Sequence, residues 1–254
     1  MKPFERQQHI FNYLMTNGKT KVDELASHFH LTGATIRKDL TALEKQNKVL
    51  RTYGSVVVTQ KDLEQNPPID FKTNVNLSQK QRIGKKAATL INEGDSIIFD
   101  AGSTVLQIIP NLTTFDNLSI MTNSLTIFNA VLQLNKSYNL LMSGGSFREK
   151  SASFHGYFAE SVFIGSTFDT LFIGTDGLDL DVGLTTFNEV YRVSSLMCNA
   201  AKKIIVLADS SKFGRKTPNI ACGLEKIHTI VTDDKLPTEM KDKLIEKGIE
   251  VLIV

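Results

Sequence analysis

The stretch Thr32 to Gly54, TGATIRKDLTALEKQNKVLRTYG, decides how the first part of the chain folds. Its apolar residues Ile36, Leu40 and Leu43 are spaced by four and then three, which sets them on one side of a helix. Ala34, Lys38, Thr41 and Lys45 then fall on the opposite side, with Arg37 at the flank. Small residues let such a face approach a surface closely, and basic and hydroxyl side chains donate to phosphates and base edges. Thr32 is a suitable N-cap. After the helix, Val49 to Tyr53 and Ser55 to Val58 read as two short strands about a turn at Gly54. The tip residues Arg51 and Tyr53 are placed to reach a phosphate backbone. An ordinary amphipathic surface helix has the same periodicity, so the surroundings of this stretch must separate the two readings.

Upstream, residues 4 to 16 put Ile10, Phe11 and Leu14 at helical spacing, and Asn17-Gly18 is a stop signal. A second helix is expected from about Val22 to Phe29, with Val22, Leu25, Ala26 and Phe29 on one face. Asp23 and Glu24 lie in its first turn, where the helix dipole favours them. His30-Leu31-Thr32 then joins it to the quoted stretch. Helix, short turn, helix and two strands is the order of a winged helix-turn-helix. Charge agrees: residues 1 to 60 hold 9 Lys+Arg and 5 Asp+Glu, a net of +4, and the remaining 20 and 22 give the rest of the chain a net of −2. A basic segment beside a mildly acidic body suits a reader of double-stranded DNA joined to another domain.

The two cysteines, Cys198 and Cys222, form no CxxC and no disulfide framework. His28 and His30 lack an acidic or thiol partner nearby, so no metal and no cofactor is expected. The N-terminal residues Met1 to Arg6 are polar, unlike a signal peptide. No apolar run approaches the ~20 residues of a membrane span. The expectation is a soluble, cytoplasmic protein with no membrane partner.

Residues 59 to 80 lose periodicity, and Pro67-Pro68 marks a linker in which Ile69 and Phe71 pack on a neighbour. The expected organisation is a DNA-binding domain at 1–58, this linker at 59–80 and an effector-binding domain at 81–254. In that last part strand and helix alternate. A helix at Ile83 to Ile91 precedes strands at Ser96–Phe99, Leu118–Met121, Tyr138–Met142, Asp169–Ile173, Lys203–Ala208, Thr229–Val231 and Val251–Val254. Further helices run to about Ile109, to about Leu134 and from Thr238 to Lys247. The fold class is α/β, with a mostly parallel sheet covered on both faces. Right-handed crossovers collect the loops after the strands at one sheet edge, the default place for a small ligand.

Those loops carry complementary chemistry. Asp100-Ala101-Gly102-Ser103-Thr104 joins a strand to a helix and offers backbone N–H groups, two hydroxyls and a helix dipole to an anion. Thr122-Asn123-Ser124 repeats the arrangement one strand later. Gly144-Gly145 lets a third loop approach closely, with Arg148 and Lys150 just beyond, and Lys212 adds a cation. Asp100, Asp176 and Glu189 suit sugar hydroxyls, which donate to carboxylates. A phosphorylated sugar or polyol fits both halves of this set. Turn chemistry and helix capping explain each loop singly, but their convergence points to a ligand.

With these residues in place the chain resembles the DeoR family of bacterial transcription regulators. The fingerprint is Thr35-Ile36-Arg37-Lys38-Asp39-Leu40 with Leu43-Glu44 and the wing, joined to Asp100–Thr104, Thr122–Ser124, Gly144-Gly145 and Ser211-Lys212-Phe213-Gly214. The resemblance covers essentially the whole chain. It implies DNA contacts from Thr35, Arg37, Lys38 and the wing at Arg51 to Gly54, and effector contacts from Asp100–Thr104, Asn123, Ser124, Gly145 and Lys212. Thr32–Leu40, Asp100–Gln107, Ser151–Gly156, Thr185–Tyr191 and Ala208–Lys216 look closest to members that repress hexitol use. They imply glucitol 6-phosphate, or a related sugar phosphate, as the effector that relieves repression. Repeated half-sites imply a homo-oligomer, dimer or tetramer. The wing departs from the family's usual His-Gly-Gly: here it reads Tyr53-Gly54-Ser55. The effector domain also resembles ribose-5-phosphate isomerase, which supplies a rival enzyme reading. That enzyme has a lysine between its acidic residues, whereas Asp176 to Glu189 contains none. An enediol intermediate here would lack its cationic stabiliser, so a binder without catalysis is expected.

Overall fold

In the computed structural model the described residues are 3–17, 20–45, 48–52, 54–58, 69–187 and 192–254. They fall into two compact units that divide between Val75 and Asn76.

In the first unit, α1 (Pro3–Asn17), β1 (Thr20–Lys21), α2 (Val22–His28) and α3 (Gly33–Lys45) are followed by β2 (Val49–Thr52) and β3 (Ser55–Val58). The three strands form a small antiparallel sheet in the order β1-β3-β2. The wing was legible as two strands. Its third strand, β1, was not, because two residues show no alternation. The core joins Ile10 and Leu14 of α1, Val22 and Leu25 of α2, Ile36, Leu40 and Leu43 of α3, and Val49 and Val56 of the wing. The periodic positions of the quoted stretch are thus the buried ones. The turn between α2 and α3 is closed by His30, whose φ of 52° places it in the left-handed region. Leu31 N–H reaches back to the Ala26 carbonyl at 2.9 Å, the six-to-one bond that ends many helices. His28 packs its ring 4.2 Å from that of Tyr13.

A short helix α4 (Ile69–Asn74) follows, with Ile69 and Phe71 buried. The second unit opens with α5 (Leu77–Ala88). Here the sequence expectation needs correcting: residues 69–74 and 77–80, read as aperiodic, are helical, and α5 starts six residues before Ile83. Polar residues dominate this segment and hide its stripe of Lys80, Ile83, Gly84 and Ala87, all buried.

The body is a seven-stranded sheet containing β4 (Ser96–Phe99), β5 (Ser119–Thr122), β6 (Asn139–Met142), β9 (Phe168–Ile173), β12 (Ala201–Leu207), β14 (Thr229–Thr232) and β15 (Glu250–Ile253). Its order is β15-β14-β12-β9-β4-β5-β6, and every pairing is parallel. Side chains alternate across it as the strand period requires. Ile98, Leu171, Ile173, Ile204 and Val206 enter one buried layer. Ile97, Phe99, Phe172, Ile205 and Leu207 enter the other, where the Phe99 and Phe172 rings lie 5.5 Å apart. Both faces are covered, which is why these strands read as continuous apolar runs. The expected helices appear as α6 (Leu125–Leu132) and α9 (Thr238–Glu246), while α8 (Val193–Ala200) was not placed by the sequence reading. After Thr104 the chain forms a tighter 3₁₀ helix, Val105–Thr114, with Pro110 inside it. It runs five residues past the expected end at Ile109.

Elements too short to show a period were missed. They are the hairpin β7 (Ser146–Arg148) and β8 (Ser153–His155), the turn of helix α7 (Tyr157–Ser161), and a second sheet of β10 (Gly177–Asp179), β11 (Gly183–Thr186) and β13 (Asn219–Cys222). Among the described residues no helix is long and apolar enough to cross a membrane.

Candidate functional sites

The first unit offers one face of α3. Thr35 N–H donates to Thr32 Oγ1 at 3.2 Å, so Thr32 is the N-cap, and the two hydroxyls are 2.9 Å apart. Ala34, Arg37, Lys38, Thr41 and Lys45 are exposed together, while Thr35 is half-buried. This face carries three cations, with the partly exposed Glu44 at its Arg37 edge. Gly54 has a φ of +68°, as the wing turn requires. Arg51 does not project from the wing tip here: its Nη1 donates to Thr41 Oγ1 at 3.0 Å and lies 3.8 Å from Glu44. Tyr53 lies outside the described residues.

Asp39, passed over as part of a motif, proves to be buried at 1% exposure. It accepts Arg6 Nε at 2.6 Å, Arg6 Nη2 at 3.1 Å and Gln7 Nε2 at 3.2 Å. A bidentate guanidinium on a buried carboxylate fixes both position and rotation, so Asp39 ties the exposed face of α3 to α1.

In the second unit the strand order reverses between β9 and β4: one run proceeds to β5 and β6, the other to β12, β14 and β15. That seam is a topological switch point, where loops part and leave a crevice. Asp100–Thr104 and Gly174–Asp176 face each other across it. Asp100 N–H donates to the Phe172 carbonyl at 3.0 Å. A Cβ on Gly102 would lie 3.7 Å from the Gly174 Cα, so the two loops approach backbone to backbone.

Asp100 is 7% exposed. Burial pushes its carboxyl up to about 7, and the nearby Asp176 pushes the same way, while hydrogen bonds from Ala101 N–H and Ser194 oppose them. Ser194 on α8 stands 3.5 Å from both carboxylate oxygens. Asp176 accepts Thr186 Oγ1 at 3.3 Å and Phe187 N–H at 3.2 Å. Ser103 and Thr104 are buried, and Ser103 Oγ accepts Lys80 Nζ at 2.9 Å.

The neighbouring loops join on. Ala101 N–H donates to Asn123 Oδ1 at 3.2 Å, and Phe154 N–H donates to the Asn123 carbonyl at 2.8 Å. Asn123 therefore links the first loop to the β7–β8 hairpin. Thr122 and Ser124 turn inward: Thr122 Oγ1 donates to the Phe99 carbonyl at 2.7 Å, and Ser124 Oγ caps α6 by accepting Ile127 N–H at 3.3 Å. Their hydroxyls serve the fold, in the turn and capping roles that explain each loop taken singly. Gly145 has a φ of +108°, and a Cβ there would meet the His155 carbonyl at 2.5 Å. His155 is buried against Ser153 Oγ at 2.8 Å, and burial lowers its imidazole to about 4, with Arg148 acting in the same direction.

Asp209, two residues past β12, accepts Asn76 Nδ2 at 3.0 Å, with Lys212 half-buried three residues on. Gly144 has a φ of +66°, and Lys150 is exposed on the turn between the hairpin strands. Glu189 lies outside the described residues. The sequence reading thus found the loops but missed Lys80, Ser194 and Asn76, which reach the crevice from helices or helix ends rather than from strand ends.

Comparison with known proteins agrees with both halves. Residues 6–62 match the DeoR-like helix-turn-helix domain, and residues 75–234 match the DeoR C terminal sensor domain. The chain is 34% identical over 252 residues to a putative aga operon transcriptional repressor of Escherichia coli O157:H7, covering 98% of this chain and 93% of that one. It is 32% identical to the HTH-type transcriptional regulator GlpR of Haloferax volcanii, covering 99% and 98%. Among solved structures, ribose 5-phosphate isomerase A from Methanocaldococcus jannaschii matches at 17% identity and a TM-score of 0.40, over 54% of this chain and 55% of that one. The curated relatives are regulators, and the rival enzyme reading falls with them. The chain is a transcriptional regulator of the DeoR family, with a DeoR-type helix-turn-helix followed by a DeoR sensor domain.

Proposed function

We propose that this chain represses an operon for sugar or polyol use and that a phosphorylated sugar or hexitol, glucitol 6-phosphate first among them, relieves the repression. In this reading residues 1–58 bind operator DNA, 59–80 connect, and 81–254 hold the effector. Thr35, Arg37 and Lys38 read the groove, with Ala34, Thr41 and the wing at Arg51 to Gly54 against the backbone. The observation that carries the effector half is the pairing at the switch point of an anion-suited loop, Gly102 to Thr104, with two carboxylates, Asp100 and Asp176. One end of that pair suits a phosphate and the other suits hydroxyls. The aga operon relative, named a repressor, supports the sign of the regulation. Two-fold related half-sites would call for a dimer or tetramer.

Release requires the effector to bind the DNA-incompetent state more tightly, and a tenfold preference is worth about 1.4 kcal/mol per site. The test is a gel-retardation assay on operator DNA selected from a random pool, followed by a panel of hexose and hexitol phosphates. Release by glucitol 6-phosphate but not by glucitol is the expected result. A panel in which no phosphate ester releases the DNA sinks the effector reading. Release by a different ester sinks only the choice of glucitol.

A further inference from the structure

The two cysteines of the chain, far apart in the sequence, come together in the second unit. Cys198 lies on α8 and Cys222 on β13, each 4% exposed, and both enter one buried apolar layer. The helix packs directly on that strand, and the Cys198 thiol donates a hydrogen bond to the Cys222 sulfur. This bond lowers the Cys222 thiol from its ordinary value; burial opposes it, and the Lys226 ammonium assists. Lys226 is held beside α8 by its Nζ, which donates to Asn199 Oδ1 at 2.7 Å. The pair is buried but not deep: β13 is the outer strand of its sheet, and Ile220 on the same strand is 59% exposed. Cys198 stands one helical turn after Ser194, the residue that faces Asp100. The strand β13 pairs with β11, whose Thr186 donates to Asp176. The thiols therefore meet where the helix that serves one crevice carboxylate touches the sheet that serves the other.

We propose that Cys198 and Cys222 are a redox-sensitive pair, which a hydroperoxide closes to a disulfide that fastens α8 to the small sheet. Cys222 is the attacking sulfur, because the thiolate is the nucleophile and its neighbours favour that form. It attacks one oxygen of hydrogen peroxide, the O–O bond breaks, and hydroxide leaves and takes up a proton. Cys222 is then a sulfenic acid. The Cys198 sulfur attacks it, the S–O bond breaks, and the hydroxyl leaves with the Cys198 proton as water. Two thiols thus lose two electrons and two hydrogens, and one peroxide becomes two waters. A disulfide is ~2.05 Å long, shorter than a hydrogen bond between two sulfurs, so closure draws α8 and β13 together. Ser194 and Thr186 move with them. On the reading that the effector lies in this crevice, oxidation therefore weakens its binding.

The test treats the folded, reduced full chain with hydrogen peroxide, blocks remaining thiols with an alkylating agent and maps the peptides by mass spectrometry without reduction. The expected product is one Cys198–Cys222 linked peptide, lighter than the two thiol peptides by two hydrogen atoms and lost on treatment with dithiothreitol. Cys198→Ser should stop the reaction at a sulfenic acid on Cys222, trapped by dimedone, and Cys222→Ser should leave Cys198 unreacted. Alkylation of both cysteines after peroxide overturns the proposal, as does a sulfinic acid or a link between two chains in place of the internal one. Should the serine variants not fold by circular dichroism, the wild-type peptide map decides alone. Calorimetric titration of glucitol 6-phosphate into reduced and oxidised wild type then reads the consequence. At least threefold weaker binding after oxidation is expected, reversed by dithiothreitol. Equal affinity in the two forms overturns the link to the crevice. A reduced protein that binds no sugar phosphate refutes the effector reading instead, a distinct result that leaves the disulfide to be decided by the peptide map.

Discussion

Replacing Asp100 with Asn should change how the stability of the protein depends on pH. Asp100 is buried, and its carboxyl is raised from 3.8 to about 7 in the folded chain. Below the unfolded value both states hold the proton, and the residue has no effect on stability. As the pH rises from there, the unfolded chain ionises while the folded one does not, so stability falls. The fall ends near pH 7, where the folded carboxyl ionises too. Each unit is worth ~1.36 kcal/mol, so the full loss is on the order of 4 kcal/mol, of which more than half develops between pH 5 and pH 8. Asn is neutral throughout and keeps an oxygen for Ala101 N–H. The variant should therefore be more stable than the wild type at both pH values, and its advantage should grow by roughly 2–3 kcal/mol from pH 5 to pH 8. His155, lowered to about 4, works in the opposite window: its contribution is lost as the pH falls below the ordinary imidazole value. It is common to both proteins and cancels in the comparison. Urea denaturation followed by far-UV circular dichroism, run side by side at the two pH values, reads the difference. Parallel profiles for the two proteins would mean that the carboxylate is solvated in the folded chain, and the reasoning from burial would be refuted.

Lys38→Ala should weaken operator binding and lower the slope of log affinity against log salt by about one; an unchanged slope in a gel-retardation salt series takes Lys38 off the DNA. Leu40 is fully buried beneath the reading face, and Leu40→Ala should cost about 2–5 kcal/mol, enough to melt a small unit of this kind. Operator binding should be lost at 37 °C while the sensor keeps its melting transition, and a variant that still binds DNA normally would contradict this packing. Gly145→Ala forces a Cβ onto the His155 carbonyl at positive φ and should cost about 1–3 kcal/mol or more, read as a lower melting temperature with weaker effector binding. An unchanged melt would show that the loop relaxes freely.

The quoted stretch was legible because it obeys a period. Ile36, Leu40 and Leu43 are buried because they recur at helical spacing, and the face they leave outward is the one read as DNA-facing. The sheet was legible for a related reason: strands buried on both faces must be apolar throughout, and β4, β9 and β12 are. The short elements were not legible. β1, β7, β8 and β10 have two or three residues each, and alternation cannot be seen in so few. Asp39 sat in plain view between Arg37, Lys38 and Leu40. Its position three after Ile36 and four before Leu43 puts it on the buried stripe, and a carboxylate there needs a partner. That partner, Arg6, stands 33 residues away and is joined only by the fold.

Lys80 shows the same limit more sharply. In the sequence it is one of four basic residues between Ser78 and Ala87 and reads as a solvated helix face. Yet it precedes Ile83, Gly84 and Ala87 by three, four and seven residues, the spacing of a single helix side. A lysine and a glycine on the inward stripe of one helix are each costly alone: the lysine must be desolvated, and the glycine weakens the helix. Placed together they make sense if the glycine brings the helix against the anion loop and the lysine then reaches into it. The signal was therefore present as two local violations of helix design. Their shared cause becomes visible only when Gln107 and Ser103 are seen against the same helix.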